Sequence, residues 1–237
     1  MKKRGKLFVF ILLLGVLFYF KEDIYNYTYS IINTSDESYD IENLPEYDGN
    51  SYVIVNDNIP YFKEEEYTTN SFEKYSELDS LGRCGVASAN ISKDLMPTEK
   101  RGSIGMIKPS GWHTIKYDHI DGKYLYNRCH LIGYQLSGNN SKENLITCTR
   151  NMNINEMLPF ENKVAEYVKK TGNRVMYRVT PIYKNDNLLA NGVQIEAKAI
   201  EDEKFDFNVY IYNVQDGIEI NYENGESRVS EWKKDLL

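Results

Sequence analysis

Three different hydrophobic patterns succeed one another along this chain. The first is an unbroken apolar run, Leu7 to Phe20, relieved only by Gly15 and the hydroxyl of Tyr19. Lys2, Lys3, Arg4 and Lys6 precede it, and Lys21, Glu22 and Asp23 follow at once. A basic start, an apolar stretch and a charged stop are the marks of an export segment. No small-residue step of the kind cleaved by signal peptidases follows Phe20, so residues 1–20 are expected to persist as a signal-anchor rather than leave as a signal peptide. Positive charge stays on the cytoplasmic side, which puts the rest of the chain on the extracellular face of the membrane, or free outside if the segment is removed. Fourteen residues at about 1.5 Å each reach roughly 21 Å, short of a hydrocarbon core of roughly 30 Å, so a full crossing draws in residues from Ile24 to Ile32 or thins the bilayer.

The second pattern, from Lys21 to about Asn50, has no apolar period and is rich in Tyr, Asn, Ser, Asp and Glu. It reads as a polar extracellular stalk. The third begins near Tyr52-Val53-Ile54-Val55 and fills residues 51–237 with short apolar runs broken by Gly, Asn and Pro. One helix stands out, over about 159–170. Pro159 suits a first helical position, and Phe160, Val164, Tyr167 and Val168 recur at helical spacing. Lys169 and Lys170 suit the negative end of the dipole, and Gly172 suits the C-cap. Strand-like runs follow at Arg174–Thr180, with Val175, Tyr177 and Val179 on one face, at Val193–Ala199 and at Phe205–Tyr212. A last hairpin is expected between Ile218–Ile220 and Arg228–Val229, turning at Asn224-Gly225. The fold class is therefore α+β, with an antiparallel sheet and few helices.

Composition narrows the function. The chain carries 28 Lys and Arg against 35 Asp and Glu. Four of the bases lie in the first six positions, so the exported part is more acidic than the net charge of −7 suggests. A general polycation that coats nucleic acid or anionic lipid is excluded, and any phosphate contact must come from a local basic cluster. Three cysteines and three histidines at scattered positions give neither a disulfide scaffold nor a zinc-ligand spacing.

The residues that could do chemistry crowd between 127 and 161. Asn127-Arg128-Cys129-His130 ends a strand-like stretch that starts near Tyr124, and a polar loop, Ser137-Gly138-Asn139-Asn140, follows. Arg128 and His130, two apart on a strand, share a face. A permanent cation beside a titratable base suits hydrolysis of a phosphodiester: the guanidinium holds non-bridging oxygens and the imidazole takes a proton from water. Asn144 opens a second strand, Asn-Leu-Ile-Thr-Cys-Thr, and Arg150, Asn153 and Glu161 follow, the last in the first turn of the expected helix.

This order resembles the DNA/RNA non-specific endonucleases of the ββα-metal (His-Me finger) superfamily, and within it the streptodornase-like and DNA-entry nucleases. The similarity runs from Leu78-Asp79-Ser80-Leu81-Gly82-Arg83-Cys84-Gly85 through Pro109-Ser110-Gly111-Trp112-His113, the His130 motif and Met157-Leu158-Pro159-Phe160-Glu161-Asn162 to Tyr177-Arg178-Val179-Thr180-Pro181 and the final hairpin. The resemblance implies a ββα-metal core on a central antiparallel sheet. It implies His130 as general base, Arg128 as phosphate clamp and Asn144 as a residue orienting groups at the scissile phosphate. It makes Asn153 the sole direct protein ligand of Mg2+, for which Mn2+ can substitute, and gives Glu161 the ion's waters to hold. DNA, and RNA as well, would be cut to 5'-phosphate and 3'-hydroxyl ends, and no inhibitor protein is identified.

Two positions depart from the family's Asp-Arg-Gly-His fingerprint: Asn127 stands for Asp and Cys129 for Gly. Activity is expected to survive, since neither supplies the base or the metal oxygen. Cys129 and Cys148 either form a bridge across the two strands or remain buried thiols. Arg150 is the best placed further substrate contact, with Arg174 and Arg178 weighed as residues that widen the groove. Trp112 and His113 are expected to pack, and His119 to sit exposed in a loop. The alternative to an enzyme is a surface protein that binds nucleic acid for uptake without cutting it.

Overall fold

A computed structural model describes residues 38–231. The anchor segment 1–20 and residues 21–37 of the stalk lie outside the described residues. Among the described residues no helix is long and apolar enough to cross a membrane. Residues 38–50, expected as stalk, instead pack on the domain. Strand β1 (Ser38–Tyr39) pairs in parallel with β2 (Tyr52–Val55). Tyr39, Ile41 and Leu44 cover Val53, Val55, Tyr210 and Tyr212, and the Tyr212 hydroxyl donates to the Pro45 carbonyl at 2.8 Å. A few isolated apolar side chains anchor this stretch, and they show no period because it forms neither a long strand nor a long helix.

The remaining strands of the central sheet are β3 (Phe72–Tyr75), β4 (Ala87–Ile91), β7 (Val175–Ile182), β8 (Gly192–Ala199) and β9 (Asp206–Tyr212). Seven strands lie in the order β1-β2-β9-β8-β7-β4-β3, antiparallel except at the β1–β2 edge. Period-two alternation gives the sheet two unlike faces. One carries Ala87, Ala89 and Ile91, Val175, Tyr177 and Val179, Val193, Ile195 and Ala197, and Phe207, Val209 and Ile211. The other carries polar groups: Gln194 donates to Asn208 at 2.8 Å, Asn208 donates to the Ile59 carbonyl, and Asn90 donates to the Thr68 and Asn70 carbonyls. The connection from β2 to β3 thus closes over this face and accepts from the buried Asn90 and Asn208 amide N–H groups.

The apolar face is covered by a ββα unit. Strands β5 (Tyr126–His130) and β6 (Leu145–Thr149) form their own antiparallel pair, with His130 opposite Leu145. A short helix, α1 (Tyr134–Ser137), lies in the connection between them. After β6 the chain winds as a π-helix, Met152–Met157, that runs straight into helix α2 (Leu158–Thr171). Pro159 lies in the first turn of α2, Lys169 and Lys170 lie in its last turn, and Gly172 takes the left-handed conformation (φ 80°) that ends it. Phe160, Val164, Ala165 and Val168 of α2 join Cys129, Leu131, Ile132, Leu136, Ile146 and Cys148 in one cluster with the sheet. The final hairpin is β10 (Ile218–Ile220) with β11 (Ser227–Val229). Cys129 and Cys148 are bridged, resolving the two alternatives in favour of a disulfide, and Cys84 is a buried free thiol.

Candidate active site

His130 is the last residue of β5 and is nearly buried, with 6% of its surface exposed. Its Nε2 is hydrogen-bonded with Asn140 Oδ1 at 2.8 Å, and its ring lies edge-on to Tyr134. Burial holds the imidazole pKa below the usual 6.5, the positive charge of Arg101 acts in the same direction, and the Asn140 hydrogen bond opposes both. At neutral pH the ring is therefore the free base.

The imidazole opens into a cavity of about 410 Å³ lined by Arg101, His130, Tyr134, Asn153, Glu161 and Asn162, among others. A second cavity, of about 530 Å³, is lined by Arg101, Trp112, Asn127, Arg128, Arg150 and Asn153, among others. Arg101, Asn153 and Ile154 line both, so the two form one trough with Arg101 and Asn153 at the join. The structure thus gathers His130, Arg128, Arg150, Asn153 and Glu161 along one trough.

The winding of the chain explains how two of these meet. Asn153 and Glu161 are eight residues apart, about 2.2 turns of an α-helix, which would leave them roughly 80° apart around the axis. The i to i+5 winding of Met152–Met157 takes more residues per turn and closes that gap. Thr149 Oγ1 fixes the start of this segment by accepting from Met152 N at 3.0 Å. Asn153 has no side-chain hydrogen bond among the described residues, although it lines both cavities. Glu161 is buried, and desolvation pushes its carboxyl up to about 7, opposed by a hydrogen bond with Gln135. Its carboxylate lies over Gly133, where a Cβ would come within 2.2 Å of Oε2, so any larger residue at 133 would displace it.

A desolvated carboxylate and an unpartnered amide oxygen facing one cavity suit a hard cation that keeps most of its water. No cluster of three or more His, Cys, Asp or Glu suited to a metal occurs among the described residues, so a zinc-type cage is not what this donor set offers.

Arg128 is braced rather than free. Its Nε donates to the Ile107 carbonyl, its Nη2 donates to the Gly105 carbonyl at 2.8 Å, and its guanidinium stacks 3.9 Å from the centre of the Trp112 ring. It therefore fixes the 104–107 segment next to the trough while the remaining N–H groups stay available. Arg150 pairs with the exposed Asp121 at 3.1 Å, a weak surface contact, and its Nε is buried without a partner.

Asn144 does not line the trough: it is fully buried, its Oδ1 accepts from Ile132 N at 2.8 Å, and its Nδ2 donates to the carbonyls of Ile132 and Asn139, so it ties the loop after His130 to β6. Two expectations are corrected. Arg174 and Arg178 face away from the trough. Alternation puts them opposite Val175, Tyr177 and Val179; Arg174 pairs with Glu201, and Arg178 pairs with Glu196 and Glu66. His119 is half-buried against Tyr117, not an exposed loop residue. Trp112 packs as expected, under Arg128, and His113 Nε2 meets the Asn224 carbonyl at 2.9 Å.

Sequence reasoning missed Arg101 and Asn140. Arg101 lies in a stretch with neither strand nor helix, where no periodicity marks it. Asn140 was visible only as one polar residue in a polar loop.

Residues 63–201 match the family described as DNA/RNA non-specific endonuclease. Among solved structures, the chain is similar to NucA from Streptococcus agalactiae with magnesium ion bound, at 27% identity and a TM-score of 0.66 over 75% of this chain and 86% of that one. It is also similar to the Sda1 nuclease with bound zinc ion, at 29% identity and a TM-score of 0.58 over 67% and 81% of the two chains. A deoxyribonuclease of Streptococcus dysgalactiae subsp. equisimilis is 33% identical over 117 residues, 46% of this chain; the match spans only about a third of that protein, 36% of its length.

Proposed function

Because this chain belongs to the DNA/RNA non-specific endonuclease family, we propose that it is a metal-dependent endonuclease that hydrolyses DNA, and RNA as well, with little sequence preference. The observation that carries this reading is the trough: a neutral, nearly buried imidazole opens into the same cavity as Arg101, Asn153 and Glu161. Contacts made by arginine to backbone phosphate carry no base information, which suits a non-specific enzyme.

In this reading Arg101 and the free N–H groups of Arg128 hold the non-bridging oxygens of the scissile phosphate, and Arg150 extends the contact along the strand. Neutral His130 takes a proton from the attacking water as the new P–O bond forms. The P–O3' bond breaks on the opposite side, and the departing oxygen gains a proton from solvent. The products carry 5'-phosphate and 3'-hydroxyl ends, with no covalent enzyme intermediate. Asn153 would hold Mg2+, or Mn2+ in its place, through its amide oxygen, and Glu161 would hold the ion's hydration shell. The ion when bound supplies charge neutralisation at the phosphate and the leaving oxygen. Asn127, in place of the family's Asp, leaves these roles filled.

The charged and apolar N-terminus supports action outside the cell, at the membrane face or released from it. An end-labelled duplex tests the chemistry. Fragments that T4-type ligase rejoins without prior phosphorylation, formed in Mg2+ and absent in EDTA, are expected. Bound but intact duplex in Mg2+ would favour the non-cutting uptake protein, and fragments with 3'-phosphate ends would rule out the proposed line of attack.

A further inference from the structure

The half of the trough away from His130 gathers cations without a counter-charge. Arg101, Arg128 and Arg150 line this cavity of about 530 Å³, and among the described residues no aspartate or glutamate does. The His130 cavity, by contrast, contains Glu161 as well as Arg101. Two further donors in the second cavity are unused. Asn127 Nδ2 and Arg150 Nε are both buried and have no hydrogen-bond partner among the described residues. The backbone fixes where they stand: Asn127 lies opposite Cys148 in the β5–β6 register, and Arg150 N donates to the Leu125 carbonyl at 2.7 Å. Arg150 Nη2 reaches the exposed Asp121 at 3.1 Å, which leaves Nε unpaired.

A buried N–H group without an acceptor is costly, and uncompensated positive charge in the same cavity adds to the cost. Water can meet a lone N–H, but it leaves the charge unanswered. A phosphate answers both, because its oxygens accept hydrogen bonds and carry the opposite charge. The two cavities join at Arg101 and Asn153. A strand lying along the trough with one phosphate beside His130 therefore carries its next phosphate into the second cavity. We propose that Asn127 and Arg150 form a subsite for the phosphate next to the one that is cut, with Asn127 Nδ2 and Arg150 Nε as its donors. Only the occupant of the first cavity rests on the nuclease reading; affinity for a second phosphate is a property of the resting protein. The subsite holds backbone and reads no base. It makes a dinucleotide with two phosphates a better ligand for the whole trough than one with a single phosphate.

Calorimetric titration of the full chain, in EDTA and at low ionic strength, tests this with a thymidine dinucleotide. One form has only its internucleotide phosphate, and two others carry a second phosphate on the 5' or the 3' end. Wild type is expected to bind one of the phosphorylated forms at least about 10-fold more tightly than the plain dinucleotide, and added salt should erode that preference. Arg150→Gln removes the charge from a partly exposed side chain. Asn127→Asp keeps the shape of the residue but replaces the donor with a negatively charged acceptor. Each should reduce the preference to less than about threefold, while affinity for the plain dinucleotide changes less. The proposal falls if wild type binds all three forms equally, or if the preference survives both substitutions. A wild type that shows the preference yet leaves DNA intact in Mg2+ would remove the nuclease reading and keep the subsite.

Discussion

Two groups of arginines in this molecule have opposite surroundings. Arg178, on the polar face of the sheet, donates to Glu196 at 2.7 Å and to Glu66 at 3.0 Å, and Glu196 is 3% exposed. Arg101 and Arg128, in the trough, form no ion pair among the described residues, and Arg150 has only the exposed Asp121. In a chain with more acids than bases, leaving arginines without carboxylates demands that the acids be placed elsewhere. Cations that already have internal partners hold the fold, and those left open can meet phosphate. Residue type and strand position alone made Arg150 and Arg178 look alike; their partners separate them.

The sharpest way to break this comparison is to remove one arginine from each side. Arg178→Ala should cost about 3 kcal/mol of unfolding free energy, because it strands the Glu196 carboxylate in the interior, while the cleavage rate per folded molecule stays close to wild type. Arg128→Ala should do the reverse. It should lower kcat/KM for DNA by about 100-fold, through a lost charge-assisted contact and a loosened 104–107 segment, with a smaller loss of stability. Denaturant titration and initial rates on the same preparations read both quantities. Equal behaviour of the two variants would collapse the distinction.

Glu161 sharpens the same contrast, being a carboxylate in the trough that forms no ion pair among the described residues. Its pKa in the folded, metal-free protein is about 7, above the ordinary value, so the folded state binds the extra proton. The neutral form is the stable one, and folding stability is lost as pH rises through about 7. Glu161→Gln should therefore stabilise the metal-free protein at pH 8 by on the order of 3 kcal/mol, with the gain vanishing below the unfolded carboxylate pKa. The same variant should bind Mg2+ about 10-fold more weakly or worse, read as a smaller rise in Tm on adding the ion.

The smallest expected effect concerns Arg101. Its charge lowers the His130 pKa, although burial contributes more. The acid limb of wild-type activity should lie below pH 6.5, and Arg101→Gln should move it upward by less than about one unit. An unmoved limb would place Arg101 further from the imidazole than the shared cavity implies.

Much of this was legible in the sequence where the signal is local. Helix α2 could be read from Pro159, its apolar stripe and Gly172, because caps and periodicity are written within a few residues. Strands β5 and β6 and the order His130, Asn153, Glu161 were legible for the same reason. Strand β4 was not. Its Ala-Ser-Ala-Asn-Ile sequence has little bulk, and it is buried only because β3 and β7 flank it and the ββα unit covers it. The π-helix has no compositional mark, so the alignment of Asn153 with Glu161 emerges only in three dimensions. The resemblance gives Asn144 an orienting role, but its partners, backbone groups of Ile132 and Asn139, are brought together only by folding. The face on which Arg178 lies could have been read from Val175, Tyr177 and Val179, since those residues had to face the core and the helix.

The central claim is that cleavage occurs in the trough, with His130 as the base and a divalent ion held there. The most direct test is the rate at which the protein converts supercoiled plasmid to open and linear forms in Mg2+, measured for wild type and His130→Ala with both shown to be folded. The account predicts rapid conversion by wild type, none in EDTA, and a loss of about 1,000-fold or more in the variant. Undiminished digestion by His130→Ala would contradict it.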